Sequence, residues 1–252
     1  MKLLMTIGLL MLSAPITSAQ PTKSFDRTVG LSLTGSVTLQ AHNGSIEVRT
    51  WDRAEVEIHA RITAGGTWPA DIRRFDQTTV DIHSTSDSVS IKSIYSAVAS
   101  WGLWFGNYPR IDYTITAPQT VRWKIYNHNA TADIRGVHAP LTVETHNGRV
   151  HISDLEGPLR VDGHNGSVIA DFASFRGAEF SSHLGSVELT LPSMTAFNLH
   201  ADTRRGGVQS DFPLAIRTMG RRQTSVEGAV NGGGPTLRFN SHRGELRLRS
   251  KG

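Results

Sequence analysis

Residues 141–155, LTVETHNGRVHISDL, and residues 159–172, LRVDGHNGSVIADF, repeat one pattern at a spacing of 18 positions. In both segments apolar and polar residues alternate on either side of a His-Asn-Gly tripeptide. Alternation with a period of two is typical of β-strands that bury one face, and Asn-Gly is a strong turn signal. Each segment is therefore interpreted as a strand, a turn and a second strand.

The same pattern occurs seven times along the chain, and six copies have a histidine two positions before the turn residue. From Ala130 onward the copies are separated by 18, 18, 19, 21 and 38 residues, the last being two units of 19. A recurring period of this length indicates stacked repeats, because a unit that buries only one face needs a neighbour. The turn residues are Gly44, Ala130, Gly148, Gly166, Gly185, Gly206 and Gly244.

The repeats predict an all-β fold, namely a single-stranded parallel β-solenoid with coils of 18–21 residues. Neighbouring coils would lie about 4.8 Å apart, as in any sheet, so that equivalent positions form ladders. The asparagines that precede the turn residues, Asn129, Asn147 and Asn165, would then bond along the stack through their amides. Glycine at the turn is explained by its tolerance of a positive φ.

The two ends of the chain are less regular. Residues 55–61, 79–83, 88–92 and 111–116 alternate like strands, but no period joins them to the later coils. We expect residues 20–120 to form a β region that starts and caps the solenoid, and residues 121–252 to form the regular coils of the same domain. Residues 216–234 suggest a hairpin or long arc, and residues 237–248 are expected to close the stack. In the copy before Gly206, Phe197 and Leu199 match the apolar positions of the repeat only with a shift of two residues.

Residues 1–19 have the features of a secretory signal peptide. Lys2 precedes a short apolar run, and Ala19 ends a group of small residues, so cleavage there would leave 233 residues. No later stretch is apolar enough to span a bilayer, and the chain has no cysteine, hence no disulfide or thiolate site. The expected location is the bacterial periplasm or the exterior of the cell.

The formal net charge is +4, and eight of the basic residues lie between Arg217 and Lys251, where Glu227 and Glu245 are the acidic ones. A basic end of this kind is able to attract anionic lipid, polysaccharide or nucleic acid. These arginines are not tightly clustered, and Phe239 is the one phenylalanine, tyrosine or tryptophan among them, which argues against nucleic acid. The remaining partner classes are a protein, a glycan or a membrane surface of the cell envelope.

The chain resembles a bacterial family in its strand at residues 112–118, in Trp51 and in its Gly-Arg-Val and Gly-Ser-Val coils. It is similar to the exported β-strand-repeat domains of unknown function that are often labelled "putative adhesin". The resemblance covers most of the mature chain and implies an exported, solenoid-like protein without established catalytic residues. Histidine two positions before the turn departs from that family, in which Thr, Ser or Asn is expected.

The histidines suggest one alternative function. Alternation into the turn would bring Glu144, His146, Asp162 and His164 onto one patch, where they could ligate a divalent ion such as zinc. Stacked histidines would also lower one another's pKa and make the patch sensitive to mild acid. The competing interpretation is a solvated turn that merely tolerates histidine.

The uncharged stretch 93–109 is a second candidate site. It contains Trp101, Leu103, Trp104, Phe105 and Tyr108. These residues could anchor the protein to a membrane interface, a glycan or a partner protein. Alternatively, the stretch folds back and covers the open end of the solenoid, since such stacks need caps.

Signs of catalysis are weak. Glu144 and Asp162 are the pair of carboxylates that can be placed together, as a glycosidase requires, and no nucleophile elbow, phosphate loop or dinucleotide motif is present. The sequence therefore favours an exported, non-catalytic β-solenoid that serves as a binding, adhesion-like or structural module of the cell envelope. The alternatives are a metal- or pH-responsive binding protein and, third, a polysaccharide-degrading enzyme.

Overall fold

The computed structural model describes residues 20–95, 107–214, 216–219 and 223–252; for residues 216–219 and 223 it describes the backbone. The signal segment 1–19 and four of the five candidate anchor residues, Trp101, Leu103, Trp104 and Phe105, lie outside the described residues. Within the described part of the chain, no helix is long and apolar enough to cross a membrane.

The described residues form an all-β structure with one short α-helix, and the strands belong to one mixed sheet. The helix, α1, spans Pro69–Gln77 and was not expected from the sequence. The strands are β1 Thr22–Gly30, β2 Ser36–Trp51, β3 Glu55–Thr63, β4 Thr79–Ser84, β5 Ser88–Ile94, β6 Arg110–Pro118, β7 Arg122–Arg135, β8 Leu141–Leu155, β9 Leu159–Phe172, β10 Ala178–Leu184, β11 Val187–Pro192, β12 Phe197–Thr203, β13 Val208–Ser210, β14 Ile216–Met219, β15 Gln223–Val230, β16 Thr236–Arg243 and β17 Leu246–Lys251.

Parallel, in-register pairing joins the copies of the repeat, as the sequence predicts. β2 pairs with β7, β7 with β8, and β8 with β9, so that Val143 lies beside Val161 and Gly148 beside Gly166. These four strands continue through the tripeptide, His-Asn-Gly in β2, β8 and β9 and His-Asn-Ala in β7, which was expected to separate two strands. The alternating apolar residues point inward and are buried, and those of all copies belong to one connected core.

The order of the later strands differs from the order along the chain. β16 and β17 were expected to close the stack, but β16 lies between β10 and β12, and β17 lies between β11 and β13. Beyond β12 follow β15 and β14, an antiparallel hairpin that agrees with the hairpin expected for this region. Leu199 and Ala201, both fully buried, pair with Leu237 and Phe239, so the assumed shift of two residues was wrong.

The N-terminal strands form an interrupted copy of the repeat next to β2. β5 pairs in parallel with the first part of β2, and β6 pairs in parallel with its second part. Residues 95–109 join β5 to β6 at the point where the other copies have the tripeptide. Antiparallel β3 and β1 extend the sheet from β6, and β4 pairs with β5.

Close approach of the backbones explains most of the turn glycines. Gly44 and Gly185 have positive φ values of 127° and 150°, as expected, but Gly148 and Gly166 do not. A Cβ atom on Gly166 would lie 2.2 Å from the carbonyl oxygen of Gly148, and one on Gly148 would lie 2.3 Å from that of Ala130. At these two positions glycine is required because the neighbouring strand leaves no room for a side chain.

Candidate functional site

The six histidines of the repeat form one continuous stack of parallel rings, called the histidine stack below. Successive ring centroids lie 4.6 to 5.1 Å apart, and the ring planes differ by 2° to 8°. The separation follows the spacing of adjacent strands, because each ring occupies the same register position as the next. The stack runs in the order His42, His128, His146, His164, His183 and His242.

A ladder of asparagine side chains runs beside the histidine stack. The amide nitrogen of Asn129 donates to Asn43, that of Asn147 donates to Asn129, and that of Asn165 donates to Asn147, over 3.0 to 3.2 Å. This confirms the predicted amide ladder. It ends at Asn165, whose register neighbour in β10 is Leu184. The ladder holds the tripeptides of four adjacent strands in one alignment, and thereby the imidazoles as well.

The histidine stack forms one wall of an open groove with a volume of about 830 Å³. The opposite wall consists of the residues two positions earlier in each strand, since both sets point outward. These two walls define the histidine groove: His42, His128, His146 and His164 on one side, and Gln40, Tyr126, Glu144, Asp162 and Ser181 on the other. A second, smaller depression of about 370 Å³ begins at Ser181 and continues past His242 to Arg204.

Two tyrosines enclose the end of the groove at β2. The ring of Tyr95 lies 5.5 Å from that of His42, and the ring of Tyr108 lies 6.4 Å from it. Arg74 of α1 lies over the Tyr108 ring at 5.2 Å, and Tyr108 itself is 54% exposed. Tyr95 and Tyr108 were not expected beside a histidine, because the segment that contains them has no repeat period.

The carboxylates of the groove differ in their surroundings. Asp162 accepts a 3.0 Å hydrogen bond from Nε of Arg160, whose Nη1 also donates to Glu179. Glu144 lies beside Asp162 in the register and forms no ion pair with any residue that the structure describes. Glu144 is therefore the more available hydrogen-bond acceptor of the pair.

The pKa values of the two terminal histidines are lowered. For His42 the main cause is burial, followed by the neighbouring His128. For His242 it is again burial, followed by His183 and by the nearby arginines Arg204, Arg243 and Arg205. Both imidazoles therefore favour the neutral form, in which one ring nitrogen donates a hydrogen bond and the other accepts one.

The structure brings Glu144, His146, Asp162 and His164 to one groove, but the stacked rings are poorly arranged for a shared metal ion. Zinc binds imidazole nitrogen at about 2.0–2.1 Å, so two nitrogens on one ion lie at most about 4.2 Å apart. The ring centroids of His146 and His164 lie 4.8 Å apart and the ring planes are parallel, so the lone pairs, which lie in the ring planes, do not converge on one point. Among the described residues, no group of three or more His, Cys, Asp or Glu side chains is placed to hold a metal ion. Zinc binding remains a prediction that requires a ring to rotate out of the stack.

Comparisons with known proteins agree with the resemblance stated from the sequence. No family model matches the chain, and no curated protein is significantly similar to it. Among solved structures, it is similar to a "putative cell adhesion protein" from Clostridium sporogenes, with 11% identity and a TM-score of 0.46 over 92% of this chain and 100% of the other.

Two further solved structures are similar to the chain. One is a "putative adhesin" from Bacteroides fragilis, with 13% identity and a TM-score of 0.39 over 91% of this chain and 97% of the other. The other is a "putative lipid binding protein" from Parabacteroides distasonis, with 9% identity and a TM-score of 0.33 over 94% of this chain and 96% of the other. The descriptions of the first two structures correspond to the adhesin-like family that the sequence resembles.

Proposed function

We propose that the protein is an exported, non-catalytic binding module of the bacterial cell envelope and that the histidine groove is its ligand site. The groove itself is the observation that carries this proposal, since it is an open depression of about 830 Å³ that is lined by tyrosine, carboxylate, amide and imidazole groups. A concave site with a few convergent polar groups is where ligands bind most often. Export is supported by the charged start, apolar run and small residues of segment 1–19.

The groove is built on a rigid support. Each wall residue from Tyr126 to Ser181 belongs to a strand that pairs on both sides with neighbouring strands. Sites on regular elements hold their geometry better than sites on loops. Successive in-register parallel copies also favour a β-solenoid architecture, in which the histidine groove follows the stacking direction.

The placement of the carboxylates argues for binding rather than hydrolysis. Glycosidases use two carboxyl groups that flank the scissile bond. Glu144 and Asp162 are register neighbours on the same wall of the groove, and Asp162 is already paired with Arg160. A polysaccharide-degrading enzyme is therefore less well supported than a binding protein.

A pair of matched substitutions tests the proposal. Ser181→Trp would place an indole in the groove, whereas Ser153→Trp would place one on an outward position of β8 away from it. The mature wild-type chain and both variants are immobilised and used to capture material from a bacterial envelope extract. We expect the wild type and Ser153→Trp to retain the same material and Ser181→Trp to lose it. Equal capture by all three proteins, or no capture by the wild type, would contradict the proposal.

A further inference from the structure

The histidine groove has the dimensions of a track for an extended molecule. Its imidazoles repeat every 4.6 to 4.8 Å from His42 to His164, and the opposite wall repeats in the same register. The smaller depression that begins at Ser181 prolongs the line toward β12. A polymer that lies along this line meets a similar set of hydrogen-bonding groups at each successive strand, whereas a compact ligand would use only a part of the groove.

The lining excludes two classes of extended ligand. Lipid chains require continuous apolar walls, but at every strand the side chains that line this groove carry imidazole, carboxylate, amide or hydroxyl groups. Nucleic acids and other polyanions require lysine or arginine. Among the described residues that line the groove, none is lysine or arginine, and Glu144 and Asp162 add negative charge. In the smaller depression Arg204 lies beside Asp202, so the prolonged line has no excess of basic residues among those described.

A peptide strand added to the sheet is also excluded at this place. Strand addition needs a sheet edge with unpaired N–H and C=O groups. The strands below the groove are paired on both sides, β8 with β7 and β9, and β9 with β8 and β10. The ligand must therefore be recognised by the outward side chains.

We infer that the histidine groove binds an extended, uncharged glycan, an inference that rests on the groove being the ligand site. Sugar rings have an apolar C–H face that packs on aromatic rings and a rim of hydroxyl groups that donate and accept hydrogen bonds. The groove presents both kinds of partner. Tyr126 and the exposed Tyr108 provide aromatic rings, each of which has a cationic side chain on one side, Lys124 at 5.4 Å and Arg74 at 5.2 Å. Glu144 accepts hydrogen bonds from hydroxyl groups.

The histidine stack provides the repeating part of this recognition. Because the ring faces are covered by neighbouring rings, each imidazole presents its edge to the groove. A neutral imidazole is both a donor and an acceptor, which matches a hydroxyl group in either role. The stack thus offers polar contacts at a constant interval without adding a fixed charge.

Chemical or enzymatic treatment of the envelope extract before capture tests the ligand class. The immobilised mature chain is exposed to bacterial envelope extract that has been oxidised with periodate, which destroys vicinal diols, or digested with protease. Tyr126→Ala and Glu144→Ala remove the proposed contacts, and Glu57→Ala, at an exposed position of β3, is the matched control. We expect capture to survive protease and to be lost after periodate. Glu144→Ala should raise the half-saturating extract concentration about tenfold, as the loss of a charged hydrogen bond does. Tyr126→Ala should raise it about three- to tenfold, as the loss of an aromatic contact does, and Glu57→Ala should not change it.

The outcomes separate this inference from the proposed function. Capture that is lost after protease but survives periodate, and that Ser181→Trp still abolishes, would overturn the glycan and leave the groove as the ligand site. Capture that Tyr126→Ala and Glu144→Ala leave unchanged would also overturn the glycan. Capture that Ser181→Trp does not affect would overturn both proposals.

Discussion

Protonation of one imidazole affects its neighbours in the histidine stack. His42 and His242 have lowered pKa values, because both are partly desolvated and each lies against another imidazole. Desolvation and a neighbouring imidazole both disfavour the charged form, so these two rings resist protonation.

Stability should decrease as the pH falls below about 6.5, the ordinary histidine pKa. Below about pH 6.5, His42 and His242 bind protons in the unfolded chain but resist them in the folded chain. The free energy of unfolding is therefore highest above about pH 6.5 and declines as the pH falls toward the lowered pKa values of the folded state. The double variant His42→Gln/His242→Gln should reduce this decline. Urea unfolding at about pH 7.5 and about pH 5 measures it.

His83→Gln serves as the control for the pH experiment. His83 pairs with Asp81 on β4 and is not part of the histidine stack. The free energy of unfolding of His83→Gln should still decline on acidification as it does in the wild type, whereas that of the double variant should decline less. An equal pH dependence of the wild type and the double variant would show that the two histidines do not resist protonation in the fold.

At Gly166 the spacing between β9 and β8 leaves no room for a methyl group. Gly163 and Gly166 are both on β9, but they differ in their surroundings. A Cβ atom on Gly166 would clash with a backbone carbonyl, whereas one on Gly163 would meet its nearest neighbour, Cγ2 of Thr145, at 3.8 Å. Two glycines three positions apart therefore have different physical roles.

Gly166→Ala should destabilise the protein by about 1–3 kcal/mol, because the strand must shift to accept the methyl group. Gly163→Ala is the matched control and should change the free energy of unfolding by less than about 0.5 kcal/mol. Urea unfolding of both variants measures the difference. Similar effects of the two substitutions would contradict the close approach of β8 and β9.

Much of the groove could be predicted from the pattern within a single repeat. The period of two places Glu144 and His146 on the same side of β8, and the 18-residue spacing places Asp162 and His164 beside them. Tyr95 and Tyr108 could not be predicted, because their position depends on how β5 and β6 pair with β2. The helix α1 was missed as well, since it lies in the part of the chain without a repeat.

The last two strands, β16 and β17, lie between other strands of the sheet. β16 contacts β10 on one side and β12 on the other, and Phe239 is fully buried between them. A terminal strand at the end of a stack would fray, whereas an internal one opens only with its neighbours. The C-terminal strands should therefore be among the stable parts of the fold.

Hydrogen exchange measures this stability. Amides of β16 and β17 should exchange as slowly as those of β8 and β9, and more slowly than those of β1, for which β3 is the one paired strand among the residues that the structure describes. Rapid exchange at residues 237–248 would instead agree with the position at the end of the stack that the sequence suggested.

The local pattern of the sequence was sufficient for the strands of the regular copies, most of their inward residues and the asparagine ladder, because each depends on the alternation and the near-constant period of the repeats. The order of the copies depends on the tertiary structure. Every copy presents a similar apolar face and a similar turn, so the pattern alone does not distinguish β12 from β16 as the neighbour of β10. The long connection through β14 and β15 and the packing of individual side chains, such as His183 against His242, select one order.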